Sequence, residues 1–156
     1  IDSLNVGRTE DPDVSRMTIV VDSNQADARK VEANLYKLVN VIDVQDVTGQ
    51  EAILRELALI KVSASPDKRG EVLSLVNIFR AEVVDVKADA MIVQLTADES
   101  RVDSLIELLR PVGILEIVRT GHVAMMRGTD PGKRYARWAD EDEEEYFVNG
   151  RHYAGD

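Results

Sequence analysis

The sequence predicts an α+β protein built from ferredoxin-like βαββαβ sandwiches. Between Ile53 and Val118, short apolar runs alternate with segments whose apolar residues recur every three or four positions, in the order strand, helix, strand, strand, helix, strand. Residues 1 to 47 repeat the later part of that order. Two helices that cross from strand to strand cover one face of a four-stranded sheet, so this order predicts a two-layer sandwich.

The first strand and helix of the complete unit differ in the period of their apolar residues. The run from Leu57 to Val62 is too short for a helix with a solvent face and favours a buried strand, which Pro66 and Asp67 end. After Gly70 the spacing becomes helical, because one helix face carries Val72, Leu75, Val76 and Phe79. We expect this face to pack against the sheet.

The second half of the unit begins with a hairpin. Two β-branched runs, 83–86 and 91–95, are joined by a short polar connection, which predicts antiparallel neighbours. Asp98 and Ser100 offer N-cap oxygens to a second helix, which ends at Pro111. Its apolar face consists of Val102, Leu105, Ile106 and Leu109. A strand over 114–118 closes the unit.

The first part of the chain predicts a hairpin, a helix and a closing strand. The hairpin strands contain residues 1–6 and 17–21, the helix contains Val31, Leu35 and Leu38, and the closing strand contains Val41, Ile42 and Val44. Compared with the complete unit, an opening strand and helix are absent, and a sheet without them exposes apolar faces. We therefore expect about thirty further residues, the length of a βα pair, ahead of Ile1.

These patterns predict a partial domain over 1–49, a complete domain over 50–128 and a tail over 129–156. The tail contains the acidic run 139–145, and such tails are usually solvated and disordered. This tail, however, holds five of the seven aromatic residues in the chain. We therefore expect Trp138, Tyr146 and Phe147 to dock on a partner protein.

The composition excludes several classes of function. The net charge of −10 disfavours binding to nucleic acid, since Lys and Arg supply the affinity for phosphates. No apolar run approaches the roughly 18 to 20 residues of a membrane span. The chain has no cysteine for disulfides or thiolate metal sites, and no signal peptide precedes the first strand. We expect a soluble protein of the cytoplasm, or of a plastid or other organelle in a eukaryote.

No set of catalytic residues stands out in the sequence. His122 and His152 lie far apart, without a cysteine nucleophile or the spacing of a metal site, so we expect neither catalysis nor metal binding. The predicted fold is also that of the RNA-recognition motif, which stacks bases on aromatic residues of its central strands. The strands 58–62 and 91–95 contain no aromatic residue, so RNA binding is excluded.

Three stretches of the chain are distinctive in combination. They are IDSLNVGRTEDPDVSRMTIVV (Ile1 to Val21), RELALIKV (Arg55 to Val62) and FRAEVVDV (Phe79 to Val86). Together they resemble the regulatory (small) subunit of acetolactate synthase, also called acetohydroxyacid synthase, in which an ACT domain precedes a second ACT-like domain. The resemblance extends to about Gly128. The tail departs from the usual bacterial pattern, which ends soon after an Arg-Gly pair like Arg127-Gly128.

The resemblance implies a subunit that catalyses nothing itself. Such subunits bind the large catalytic subunit and raise its activity in branched-chain amino-acid biosynthesis. The large subunit carries thiamine diphosphate, Mg and FAD, so no cofactor is expected in this chain. The small subunits of this family also make the enzyme sensitive to feedback inhibition by a branched-chain amino acid, usually valine. The surfaces expected to bind the large subunit are the hairpin around Arg16 and residues 53–118.

The resemblance also places the effector between two paired ACT domains, which implies a homodimer. One chain supplies a Gly-containing turn and the other an Asn-Ile pair, of which Ile1 is the residue present here. Its expected role is apolar contact with the effector. The second domain has a similar turn over 67–73, but Glu82 stands where an amide is expected, so we expect no effector there.

Two other functions remain open. The chain could be a stand-alone ACT-type amino-acid sensor that regulates another protein, or a purely structural oligomerisation module. A regulatory subunit is expected to co-purify with a large partner that contains flavin and thiamine diphosphate, whereas a sensor is not.

Overall fold

The structure is a computed structural model, and it describes residues 1–22, 25–128, 145–148 and 151–154. Contacts divide the chain into two compact units. The first unit consists of residues 1–53 together with 124–156, and the second unit consists of residues 54–123. The complete βαββαβ order is found in the second unit, whose first strand begins at Ala52.

The second unit contains an antiparallel sheet and two helices. Its elements are β3 (Ala52–Ser63), α2 (Arg69–Phe79), β4 (Glu82–Val86), β5 (Ala90–Ala97), α3 (Glu99–Leu109) and β6 (Ile114–Arg119). The strand order is β4-β5-β3-β6, and all neighbouring pairs are antiparallel. This is the arrangement of a ferredoxin-like sandwich, so the predicted fold class is confirmed.

The core of the second unit lies between the sheet and its helices. Every second residue of β3 faces inward, which buries Ala58, Ile60 and Val62 completely. The same cluster contains residues of β5 and of both helices, namely Met91, Val93, Leu95, Val72, Val76, Val102, Leu105 and Leu109. Burial of a large apolar side chain contributes about 1.5–3 kcal/mol, so this layer is the main source of stability in the unit.

The start of α3 follows its local sequence, whereas the end of α2 does not. Asp98 precedes α3 in an extended conformation, and its carboxylate accepts a hydrogen bond from the Arg101 backbone N–H at 3.0 Å. The Ser100 hydroxyl donates to the same carboxylate at 2.7 Å and is the main reason why the pKa of Asp98 lies below its ordinary value. At the end of α2, Arg80 has a φ of +52°, in the left-handed region.

The face of the sheet opposite the helices is of mixed character. Leu59 and Ile92 are half-buried there, and Val118 on the edge strand is exposed. Lys61 and Glu116 are cross-strand neighbours whose Nζ and Oε2 atoms lie 2.6 Å apart, and this contact lowers the pKa of Glu116. Because both side chains are exposed, the pair adds little to stability.

The first unit contains a hairpin and a helix. β1 (Ser3–Arg8) and β2 (Ser15–Val20) pair antiparallel over all six residues of each strand. The helix α1 (Gln25–Leu35) follows. One face of the hairpin carries exposed apolar residues, namely Leu4, Val6 and Met17.

The prediction of a closing strand over Val41 to Val44 is wrong. The Tyr36 hydroxyl donates to the Val44 carbonyl at 2.9 Å and accepts the Val44 N–H at 3.1 Å. One side chain therefore satisfies both backbone groups that a strand partner would bind. Leu38, predicted on the helix, lies beyond the end of α1 in a turn.

Further strands follow the second unit. β7 (Val123–Met126) pairs with β3, and β8 (Glu145–Val148) pairs antiparallel with β9 (Arg151–Ala154). The sequence prediction of a tail over 129–156 missed β8 and β9. The Asn149-Gly150 dipeptide between them was the available signal, since it is typical of two-residue hairpin turns.

Candidate functional site

The β1–β2 hairpin carries the predicted effector residue and one predicted partner residue at opposite ends. Ile1 precedes β1 and is 84% exposed, and the Asp2 backbone N–H next to it donates to the Val20 carbonyl at 2.9 Å. Arg16 lies near the other end, opposite Gly7. The strand between Ile1 and Gly7 spans about 20 Å. No single amino acid can contact both residues, so the hairpin offers two separate surfaces.

The loop at the tip of the hairpin, residues 9–14, is held by its own hydrogen bonds. The Thr9 hydroxyl lies 3.0 Å from the carbonyl oxygens of both Asp11 and Val14, and it accepts the Asp11 N–H at 3.1 Å. The Asp13 N–H donates to the Asp11 carboxylate at 2.9 Å. The Val14 N–H closes a turn on the Asp11 carbonyl at 3.1 Å, with Pro12 at the second position. Val14 is 8% exposed, so the tip is preorganised although it lies at the surface.

Two arginines flank this loop. Arg8 ends β1, Arg16 is the second residue of β2, and both side chains are exposed. Within the described ranges, neither guanidinium takes part in a hydrogen bond or an ion pair. In a chain with a net charge of −10, these two groups remain available to carboxylates of another molecule.

The remaining predicted partner residues lie in the tail. Tyr146 and Phe147 belong to β8, where their backbone partners are Tyr153 and His152. Trp138 lies outside the described residues. The role of these three residues in partner binding stays a prediction.

The turn between β3 and α2, which resembles an effector turn, uses its basic side chains internally. The Arg69 guanidinium donates to three backbone carbonyls at 3.1, 2.9 and 2.9 Å. Lys68 Nζ donates to the Val112 carbonyl at 3.1 Å. Glu82, at the position of the expected amide, accepts from Gln94 Nε2 at 3.4 Å. The cations of this turn are therefore already bound to backbone carbonyls, and the expectation of no effector here stays a prediction.

A buried charged residue in the second unit was not recognised from the sequence. Glu56 is 3% exposed, and Arg119 binds its carboxylate with two nitrogens, Nε at 3.1 Å from Oε2 and Nη2 in contact with Oε1. Arg119 Nη1 also lies 2.8 Å from the carboxylate of Asp103 on α3. The hydrogen bond that Arg119 donates to the Glu56 carboxylate raises the pKa of Arg119 above its ordinary value. The alternation of side chains along β3 could have indicated from the sequence that Glu56 is buried, because Glu56 shares the inward face of the strand with Ala58 and Ile60.

The histidines form no site in the part of the chain that the structure describes. His122 Nε2 lies 3.8 Å from Glu99 Oε2, and its buried Nδ1 has no hydrogen-bond partner there. His152 belongs to β9. The same described residues contain no cluster of three His, Cys, Asp or Glu side chains suited to a metal ion. Each helix described in the structure is also too short or too polar to cross a membrane.

Family models match both halves of the chain. A model described as the small subunit of acetolactate synthase matches residues 55–128. A model described as the AHAS small subunit-like ACT domain matches residues 1–43. These are the two domain types that the sequence resembles, and the resemblance is confirmed.

Known proteins show the same similarity over most of the chain. The chain is 49% identical over 128 residues to the probable acetolactate synthase small subunit of Archaeoglobus fulgidus. The matched residues make up 82% of this chain and 80% of the relative. The chain is 45% identical over 130 residues to the acetolactate synthase small subunit of Bacillus subtilis, with coverages of 83% and 76%. The crystal structure of the acetolactate synthase small subunit from Thermotoga maritima matches with a TM-score of 0.74 and 38% identity, over 82% of this chain and 80% of that one.

Proposed function

Since the chain belongs to the family of acetolactate synthase small subunits, we propose that it binds the catalytic large subunit, raises its activity and confers feedback inhibition by valine. It is a regulatory subunit of the ACT type, and we assign the catalysis to the large subunit. Thiamine diphosphate, Mg and FAD belong to that partner in this proposal. The complex works in the cytoplasm, as a step of branched-chain amino-acid biosynthesis.

The hairpin tip is the observation that carries the proposed contact with the large subunit. Arg16 is exposed and has no side-chain partner within the described residues. The loop beside it is preorganised by the Thr9 hydroxyl, so binding does not have to order it. Arginine is also one of the residues that most often dominate the affinity of a protein interface. Trp138, Tyr146 and Phe147 provide a second, aromatic contact in this proposal.

The effector contact that we propose involves Ile1. Its side chain is 84% exposed, which leaves it open to an effector and to a second copy of the chain. A branched aliphatic side chain such as that of valine gains free energy from apolar contact of this kind. The protein is therefore proposed to work as a homodimer with valine at the interface of its ACT domains. Sedimentation at micromolar concentration checks this point, since a monomer contradicts it.

An assay of acetolactate formation tests the regulatory function. The purified large subunit of the same organism is measured alone, with this protein, and with this protein plus valine. We expect stimulation by a protein that begins at Ile1, and a decrease on addition of valine when the Gly-containing turn of the effector site is also present. Replacing Ile1→Asp should weaken the valine effect while stimulation persists, because a carboxylate next to an aliphatic effector removes the apolar contact. Valine binding without any interaction with the large subunit would instead favour the amino-acid sensor.

A further inference from the structure

The two arginines at the hairpin tip point to opposite sides of the ribbon. Successive side chains of a strand alternate between its two faces, so Arg8 shares a face with Leu4 and Val6. Arg16 lies opposite Gly7 and therefore shares the other face with Gly7. The tip thus carries one unpaired positive charge on each side, within the described part of the chain.

The side that carries Arg16 is sterically open. A Cβ atom added to Gly7 would meet no atom within 4 Å. The cross-strand neighbour of Arg16 therefore has no side chain, and the backbone at Gly7 is left bare. The surface of another protein can approach this face closely at Gly7, because only backbone atoms limit the distance between the two proteins there.

The loop between the arginines sets their relative positions. The Thr9 hydroxyl contacts the carbonyl oxygens of Asp11 and Val14, and the Asp13 N–H binds the Asp11 carboxylate. Val14 is buried beneath the loop. A short ribbon with a fixed end can enter a cleft without a large loss of conformational entropy.

We propose that the tip of the β1–β2 hairpin inserts into a cleft of the catalytic large subunit whose two walls both carry carboxylates. Arg8 binds one wall and Arg16 binds the other. The two guanidinium groups favour acidic walls, since neither has an internal partner within the described residues. Carboxylates suit arginine because its planar group donates two parallel hydrogen bonds. This inference rests on the proposed function and specifies the chemistry of the contact.

Charge reversal tests the two-sided contact. The affinity for the purified large subunit of the same organism is measured for the wild-type protein, for Arg8→Glu, for Arg16→Glu and for the double variant. Each single variant should weaken binding by about tenfold or more, because a repelled carboxylate replaces an ion pair, and raising the salt concentration should reduce the difference. The matched control for each single variant is Arg29→Glu, and the control for the double variant adds Lys37→Glu, because both residues are exposed and lie outside the hairpin tip and residues 53–118. Each control should retain at least a third of the wild-type affinity.

A steric variant tests the cleft independently of charge. Gly7→Leu adds a side chain beside Arg16 where space is open, so the hairpin should fold as before while the affinity falls by about tenfold. Circular dichroism melting verifies that each variant is folded.

If the wild type binds and the two single charge variants bind as well as the control, the cleft is refuted while the proposed function stands. If only one arginine matters, a one-sided contact replaces the cleft. If the wild type does not bind at all, the proposed function fails and the inference fails with it.

Discussion

Arg80 and Arg110 occupy the same helix-terminal position in different backbone conformations. Arg80 ends α2 with a φ of +52°, whereas Arg110 ends α3 with a φ of −53°. Arg80 is the one non-glycine residue with positive φ in the described part of the chain. The left-handed conformation costs a residue with a Cβ atom roughly 1–2 kcal/mol, a cost that glycine does not carry.

We expect glycine to have opposite effects at these two positions. Arg80→Gly should raise the free energy of unfolding by about 0.5–1 kcal/mol, because removal of the Cβ strain exceeds the added entropy of the unfolded chain. Arg110→Gly should lower it by about the same amount, since only the entropy term remains. Hydrogen exchange of β3 amides measures both changes. Destabilisation by both substitutions would contradict the strain at Arg80.

At the scale of elements, one ion-pair network joins β3, β6 and α3. Arg119 extends from the edge strand to the buried Glu56 on the central strand and to Asp103 on the helix. Glu56 is the one buried charged residue in the described part of the chain. A buried pair of this kind is a weak source of net stability, but removal of one partner leaves an unpaired charge in the interior.

Arg119→Met should therefore lower the free energy of unfolding by about 3–5 kcal/mol. Arg110→Met is the control, because the Arg110–Glu107 pair is exposed on α3, and its loss should cost about 0–1 kcal/mol. Adding Glu56→Leu to Arg119→Met should recover most of the loss, since no buried charge is then left without a partner. Urea denaturation followed by circular dichroism measures all three proteins. A double variant no more stable than Arg119→Met would show that packing, not charge, sets the cost.

At the scale of the whole molecule, the core and the individually predicted binding residues are found in different parts of the chain, although the surface of residues 53–118 was also expected to contact the large subunit. Fourteen of the fifteen residues in the buried apolar cluster lie between Ala58 and Leu109, and Val112 is the other. In the first unit, Val14 is the one buried apolar residue within the described ranges. The predicted partner and effector residues, Ile1, Arg16, Trp138, Tyr146 and Phe147, all lie outside residues 54–123. Stability and binding through these five residues can therefore be changed separately.

Deletion of residues 129–156 tests this separation. The amides of β3 and β5 should keep their protection against hydrogen exchange, because the core around them is contained within residues 54–123. The affinity for the large subunit should decrease, since the aromatic residues of the tail are lost. Titration of the large subunit with the shortened and the intact protein measures the decrease. Equal affinities would remove Trp138, Tyr146 and Phe147 from the proposed contact.

Local patterns in the sequence determined the elements of the second unit. Its strands and helices differ in the period of their apolar residues, and Asp98 was recognised as an N-cap because capping depends on neighbouring residues only. The three distinctive stretches also determined the family. Arg16 was marked by the same stretches, whereas its lack of a side-chain partner among the described residues could not be predicted, since that depends on the other charged residues in the fold.

Tertiary structure decided those features that depend on residues distant in sequence. Val41 to Val44 have the composition of a strand, but a strand also needs a partner, and the Tyr36 hydroxyl binds the backbone of Val44 instead. Glu56 is buried because Arg119, sixty-three positions later, pairs with it. Arg80 adopts the left-handed conformation at the end of α2, where Arg101 of α3 donates to the neighbouring Phe79 carbonyl at 3.0 Å. In each case the local sequence favours another state, and contacts formed only in the folded chain outweigh that preference.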